Sequence, residues 1–303
     1  RKTINKNYIR LIKHKATMKH IIFLFLFGIF LFQSCKKIDV NEGVPSYISI
    51  PSIEVVTDPA NEGSNSHKIT DAWVYFDNNL QGVYPLPASF PVLLSGKQNI
   101  SIKAGIKNNG IAATRVKYPF YDYFNAVITL TKDSVTVLNP EVYYANVDSI
   151  IFEDFEFNNP ILNQDTIIDI TKNSDTTYLS NNTTIFEGNS LGAHLASPHN
   201  TFEIAIEEIQ LPKVGTPVYV ELNYKCNTPF QVGVYANLTD AVITNSIVTI
   251  NPKNEWNKIY IDLTSAISNT NYADSHTIFI SMKRDINSTE IAELYLDNFK
   301  IVY

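Results

Sequence analysis

The chain has 303 residues, 45% of them hydrophobic, and carries 24 lysines and arginines against 30 acidic residues, a formal net charge of −6. An acidic chain argues against binding a DNA or RNA backbone, which needs a Lys/Arg surface, and against adhesion to anionic lipid by electrostatics alone. The length is sufficient for two ordinary domains.

Residues 1–17 are basic and contain no acid. They read as non-structural sequence upstream of Met18 and are set aside from fold reasoning. From Ile21 to Phe32 the chain is apolar apart from Gly28, and Gln33, Ser34 and Cys35 end the run. That run is shorter than the roughly 20 residues a helix needs to cross a bilayer core, and it suits the apolar region of a signal peptide over 18–34. A small residue directly before a cysteine at the end of such a core resembles the lipobox of bacterial lipoprotein precursors. The resemblance implies cleavage before Cys35 and lipid attachment to it. Lys36 takes the place of the acid that in this family commonly holds the product at the inner membrane, so it implies an outer-membrane destination, with either face open. Seven basic residues and no acid precede Cys35, so cleavage there lowers the formal charge to −13. Anchoring then comes from lipid, and a stable anchor needs more than one acyl chain. With Cys35 acylated, Cys226 has no disulfide partner, and it reads as a small buried apolar side chain.

Residues 35–46 are polar, with Gly43 and Pro45, and read as a tether. Over 47–145 nearly every segment reads as strand: Tyr47–Ile50, Ile53–Val56, Asp71–Phe76, Gln98–Ala104, Thr114–Tyr118 and Ala126–Thr131. Asp77-Asn78-Asn79 and Asn108-Asn109-Gly110 are turn signals that tolerate left-handed geometry. Pro85, Pro87 and Pro91 exclude a central strand and predict an edge or crossing path. The run Val74–Leu86, followed by Leu94–Ile102, resembles the PEGA-type surface-layer module, which implies a small, non-catalytic β-sandwich used for packing or adhesion. Tyr118-Pro119-Phe120-Tyr121-Asp122-Tyr123-Phe124 is the densest aromatic stretch. Such a patch serves either as a stacking platform for sugars or an interface hot spot, or as a buried strand or domain junction.

From Ser149 a second series of strands begins, at 150–157, 188–195, 201–206, 218–224, 230–235, 246–250, 256–263, 277–282 and 292–303, with a helical turn near Leu263–Ser268. Short strands joined by long polar loops predict a jelly roll over 149–303, so the chain as a whole is expected to be all-β, with two sandwich domains. The order Phe155-Glu156, Gly188-Asn189-Ser190-Leu191, Glu255-Trp256 and a closing Tyr295–Ile301 resembles the galactose-binding-like jelly roll of carbohydrate-binding modules. The resemblance implies a structural Ca²⁺ held in part by Asp154, Glu156 and Asp297, because first and last strands meet in that fold. It also implies a glycan ligand, for which Tyr178, Tyr235 and Tyr272 are the candidate contacts near strand ends and loops.

Support for catalysis is thin. His67, His194, His199 and His276 lack ligand spacing, and no nucleophile elbow, P-loop or dinucleotide fingerprint occurs. The expectation is therefore a non-enzymatic outer-membrane lipoprotein that binds glycan or another extracellular polymer through its jelly roll. The alternatives are a structural lipoprotein docked on another envelope protein and a glycoside hydrolase whose acid pair has no sequence motif. Asp133-Ser134-Val135, Asp148-Ser149-Ile150, Asp165-Thr166-Ile167 and Asp175-Thr176-Thr177 further resemble O-glycosylation sites of some Gram-negative groups.

Overall fold

The computed structural model of the chain describes residues 43–155, 167–169, 177–180 and 184–303, with 167–169 and 177–180 described by backbone alone. Residues 1–42, including Cys35, lie outside the described residues, as does Glu156. Pro45–Tyr303 is one compact unit. Among the described residues no helix is long and apolar enough to cross a membrane.

The N-terminal half runs β1 (Ser46–Ile50), β2 (Glu54–Val56), α1 (Pro59–Glu62), β3 (Asp71–Phe76), β4 (Asn79–Pro85), β5 (Ala88–Val92), β6 (Gly96–Lys107), β7 (Arg115–Lys117), β8 (Tyr123–Leu130), β9 (Val135–Val137) and β10 (Glu141–Tyr143). Its main sheet has the order β4-β3-β6-β7, with β8 also paired to β6, and smaller sheets β5-β1-β9 and β10-β2 complete the half. Strand β3 shows why. Ala72, Val74 and Phe76 point into the core while Trp73 and Tyr75 take the other face, the period-two split of a strand with one buried side. Asp77 and Asn78, at φ 45° and 66°, close the β3–β4 hairpin, as short polar side chains at such a turn should. The prolines fall as expected: β4 and β5 are both edge strands.

The C-terminal half runs β11 (Ile150–Glu153), β12 (Ile167–Asp169), β13 (Thr177–Ser180), β14 (Ser190–Leu195), β15 (Thr201–Ile206), β16 (Tyr219–Cys226), β17 (Phe230–Asn237), β18 (Val242–Ile250), β19 (Lys253–Asp262), α2 (Thr264–Asn269), β20 (Ser275–Lys283) and β21 (Ala292–Val302). One sheet has the order β13-β14-β21-β16-β19, with β11 also on β21, and the other β12-β15-β20-β17-β18. The two antiparallel sheets face each other across one apolar core, a jelly-roll sandwich. Cys226 is buried in that core, and burial raises its thiol pKa.

Strand β16 is buried on both faces. Val220, Leu222 and Tyr224 fill the sandwich, whereas Tyr219 joins Tyr260 and Val302 in the apolar cluster of the N-terminal half. The outer side of this sheet is thus covered by the N-terminal half instead of water.

Candidate functional site

The seam between the halves accounts for most of the aromatic stretch. Tyr118, Phe120 and Tyr121 are buried there, and Tyr118 packs edge-on against Tyr219 at 5.3 Å between ring centres. Tyr118 and Tyr144 each donate a hydroxyl hydrogen bond of 2.8 Å to Glu221 Oε1, while Lys258 Nζ lies 3.0 Å from Glu221 Oε2. Lys300, also buried, donates to Ser64 O at 2.5 Å. Burial works to raise the Glu221 carboxyl, but Lys258 and Lys300, with the two hydroxyls, outweigh it and hold the group below the usual carboxylate range. The same burial, with the Glu221 charge added, pushes Tyr118, Tyr121 and Tyr144 well up. This network joins the two halves, and its groups are engaged with one another.

Tyr123, at the end of the same stretch, is different: it is 41% exposed. It stands on the outer face of the N-terminal sheet, where register places Trp73 beside Lys103 and Lys103 beside Tyr123. In the next row Tyr75, Ser101 and Asn125 lie side by side. The Tyr75 and Tyr123 rings meet edge to face, 6.1 Å apart at 70°. With Asn78, Ser101 and Asn125 they line a hollow of about 330 Å³.

The hollow is held in shape from below. Ser101 Oγ donates to Asn125 Oδ1 at 2.7 Å, and Asn125 Nδ2 donates to Tyr123 O at 3.0 Å, so the amide has one orientation. Lys103 donates to Tyr121 O and sets its ammonium 5.0 Å from the centre of the Tyr123 ring. Burial lowers the Lys103 pKa to about 8, with Asp122 opposing and Lys117 adding to the shift. Trp73 lies across β6 at Gly105, where a Cβ would come within 2.8 Å of Trp73 Nε1. That indole nitrogen finds no acceptor among the described residues. Aromatic faces beside amide and hydroxyl groups can stack on the C–H faces of a sugar ring and hydrogen-bond its hydroxyls.

Of the tyrosines named from sequence, Tyr235 lies on the outer face of the other jelly-roll sheet, stacked on Phe279 at 4.4 Å. Its hydroxyl donates to Glu203 Oε1 at 2.8 Å, and burial followed by that carboxylate pushes its pKa up to about 12. Phe279 in turn lies over Gly233, where a Cβ would come within 2.3 Å of the ring. Beside it, Asn237 Nδ2 donates to Ser275 Oγ at 3.1 Å and Thr277 Oγ1 at 3.0 Å. Tyr272 is 60% exposed, in a loop fastened to the end of β17 by Asp274 N donating to Asn237 O at 2.8 Å. Tyr178 belongs to β13, in the opposite sheet, where it pairs with Gly192. The structure therefore distributes these three over two sheets and a loop.

The first and last jelly-roll strands do meet, Glu153 pairing with Phe299. Asp297 is buried, and its Oδ2 accepts hydrogen bonds from Ser190 Oγ at 2.8 Å and Glu187 N at 3.2 Å, its Oδ1 from Asn298 N at 2.7 Å. Burial outweighs these bonds and pushes its pKa up to about 7, with Glu187 adding to the rise. Asp297 thus ties the 186–190 turn to β21, and calcium would have to compete with those three donors. Among the described residues, no three His, Cys, Asp or Glu side chains gather as a metal site.

The outward phase of β3, Trp73-x-Tyr75, was legible as a strand but not as a surface. Its signal is two large aromatics on the phase opposite Ala72, Val74 and Phe76.

These elements define an all-β protein of sandwich sheets, the second pair a jelly roll. No protein-family model and no curated protein matches the chain. Among solved structures it is similar to the CBM22-1 and GH10 modules of endo-1,4-beta-D-xylanase 10B of Clostridium thermocellum, complexed with xylohexaose. That match has 16% identity and a TM-score of 0.36, over 52% of this chain and 29% of that one, so the chain spans under a third of the length of those modules. It is also similar to carbohydrate-binding modules of the beta-sandwich superfamily, at 11% identity and a TM-score of 0.32, over 78% of this chain and 86% of that one. The K1 cleaved adhesin domain of Lys-gingipain from Porphyromonas gingivalis W83 matches at 15% identity and a TM-score of 0.34, over 50% and 97% of the two chains. At such scores and identities the likeness carries no argument about ligand or activity.

Proposed function

We propose that this chain is a non-catalytic, glycan-binding protein of the cell envelope, held at the outer membrane by lipid on Cys35. The observation that carries the binding reading is the hollow of Tyr75, Asn78, Ser101, Tyr123 and Asn125: two rings and two oriented polar groups on a rigid sheet. This moves the favoured surface from the jelly roll to the N-terminal sheet, whose PEGA-like character rests on Val74–Ile102. Tyr235 and Tyr272 mark the second candidate surface. A calcium ion on Asp154, Glu156 and Asp297 is the one cofactor in this reading, and a chelator that lowers the thermal midpoint would support it.

Affinity electrophoresis of the full chain against a panel of neutral polysaccharides tests the binding reading. Retardation by at least one polymer is the expected result; unchanged mobility in all of them overturns it. A second reading, docking onto an envelope protein, draws on Val127, Val135 and Val137, which are 69%, 60% and 57% exposed on the same half. Retardation by glycan that survives Val127→Ser and Val135→Ser separates the two readings. For the anchor, a Cys35→Ala chain should leave the membrane fraction.

A further inference from the structure

A cleft of about 220 Å³ opens at the seam, lined from one side by Lys68 and Lys107 and from the other by Lys253, Asn257, Lys258 and Tyr260. Lys258 is answered by Glu221 behind it. Among the described residues, Lys68, Lys107 and Lys253 form no ion pair. Burial, then the charges of Lys107 and Lys253, lower the Lys68 pKa, so these ammonium groups feel one another. On a chain of net charge −6, lysines converging without a counter-charge run against the general balance. Mutual repulsion inside a partly enclosed space is unfavourable until an anion enters it.

The cleft is also built in advance. Lys68 Nζ donates to Asn257 Oδ1, Asn257 Nδ2 donates to Tyr224 Oη at 2.8 Å, and Lys68 N donates to Tyr260 Oη at 3.1 Å. The central ammonium is thus fixed from below, which reduces the ordering cost of binding. Lys107 and the exposed Lys253 stand on opposite rims, from strands β6 and β19.

We propose that this cleft binds an oxyanion group, a phosphate, sulfate or carboxylate, through Lys68, Lys107 and Lys253. Lysine ammonium groups act as point charges suited to such a group. The site is separate from the Tyr75–Tyr123 hollow and does not rest on the glycan reading. The source of the group is either a small free anion or an acid carried on a polymer.

Isothermal titration of the full chain at fixed ionic strength, with inorganic phosphate, inorganic sulfate and galacturonate in turn, tests it. The expected result is saturable binding of at least one, weakened about tenfold or more in Lys107→Gln/Lys253→Gln. Absence of saturable heat with all three anions overturns the proposal, as does unchanged affinity in that variant. Affinity electrophoresis in polygalacturonate and dextran sulfate separates the sources. Retardation that disappears in the lysine variant assigns the group to a polymer, and anion binding without such retardation assigns it to a small solute. Neutral-glycan retardation should persist in the lysine variant, so failure of one proposal leaves the other standing.

Discussion

Two outer sheet faces in this protein use the same device and end differently. On the N-terminal sheet Trp73 lies across β6 at Gly105; on the jelly roll Phe279 lies over Gly233. At Gly233 the arrangement closes, because Tyr235 stacks on Phe279 and its hydroxyl is taken by Glu203. On the N-terminal sheet the open part lies further along, at the Tyr75–Ser101–Asn125 row, where Tyr75 and Tyr123 meet edge to face and leave a hollow between polar neighbours. A glycine that seats a ring on a sheet is therefore no mark of a site by itself. What separates the faces is the tyrosine hydroxyls: Glu203 takes that of Tyr235, whereas those of Tyr75 and Tyr123 have no partner among the described residues.

The seam is the extreme of the engaged condition, and breaking it should give the largest effect. Glu221→Leu leaves Lys258 and Lys300 buried without their carboxylate and should cost about 3–5 kcal/mol in urea unfolding. Adding Lys258→Met should recover part of the loss, since the two sites share one interaction. Next comes Gly233→Ala, whose new methyl would meet Phe279 at 2.3 Å and Asn245 O at 2.7 Å. It should destabilise by about 1–3 kcal/mol. Gly105→Ala should do so by less, its nearest contact being 2.8 Å to Trp73.

Alkali should sharpen the contrast from the engaged side. Tyr118, Tyr121 and Tyr144 have folded-state pKa values raised, chiefly by burial, above an unfolded value of about 10. Their protons stay bound in the folded state and leave in the unfolded one, so this contribution is full below pH about 10 and is lost as pH rises further. The urea midpoint should fall above that pH, less steeply in Tyr118→Phe/Tyr144→Phe. The smallest stability change belongs to the open face: Tyr123→Ala removes a 41% exposed ring whose ring contacts, among the described residues, are Tyr75 and the Lys103 ammonium, and should cost no more than about 1 kcal/mol.

Much of the fold was legible from period and turn chemistry. Asp71–Phe76 reads as a strand from its alternation, and Asp77-Asn78 as a turn from its left-handed tolerance. Strands β4 and β5 were legible only as an edge or crossing path, because Pro85, Pro87 and Pro91 interrupt the strand pattern without fixing which of the two the chain takes. The functional surfaces were less legible. Glu221 and Lys258 look like the solvated phase of amphipathic strands, and only the packing of one half on the other buries them. Lys68, Lys107 and Lys253 lie far apart in sequence, and the cleft that collects them exists only in three dimensions. Within Tyr118–Phe124 a single aromatic stretch divides between the seam and the open face: Tyr118, Phe120 and Tyr121 lie in the connection between β7 and β8, and Tyr123 opens β8.

The most direct test compares the open and closed faces on one glycan. With a polysaccharide that retards the wild-type chain, Tyr75→Ala/Tyr123→Ala should migrate as in a glycan-free gel, while Tyr235→Ala should remain retarded. Retardation lost in Tyr235→Ala and retained in the double variant would contradict the assignment and return the site to the jelly roll.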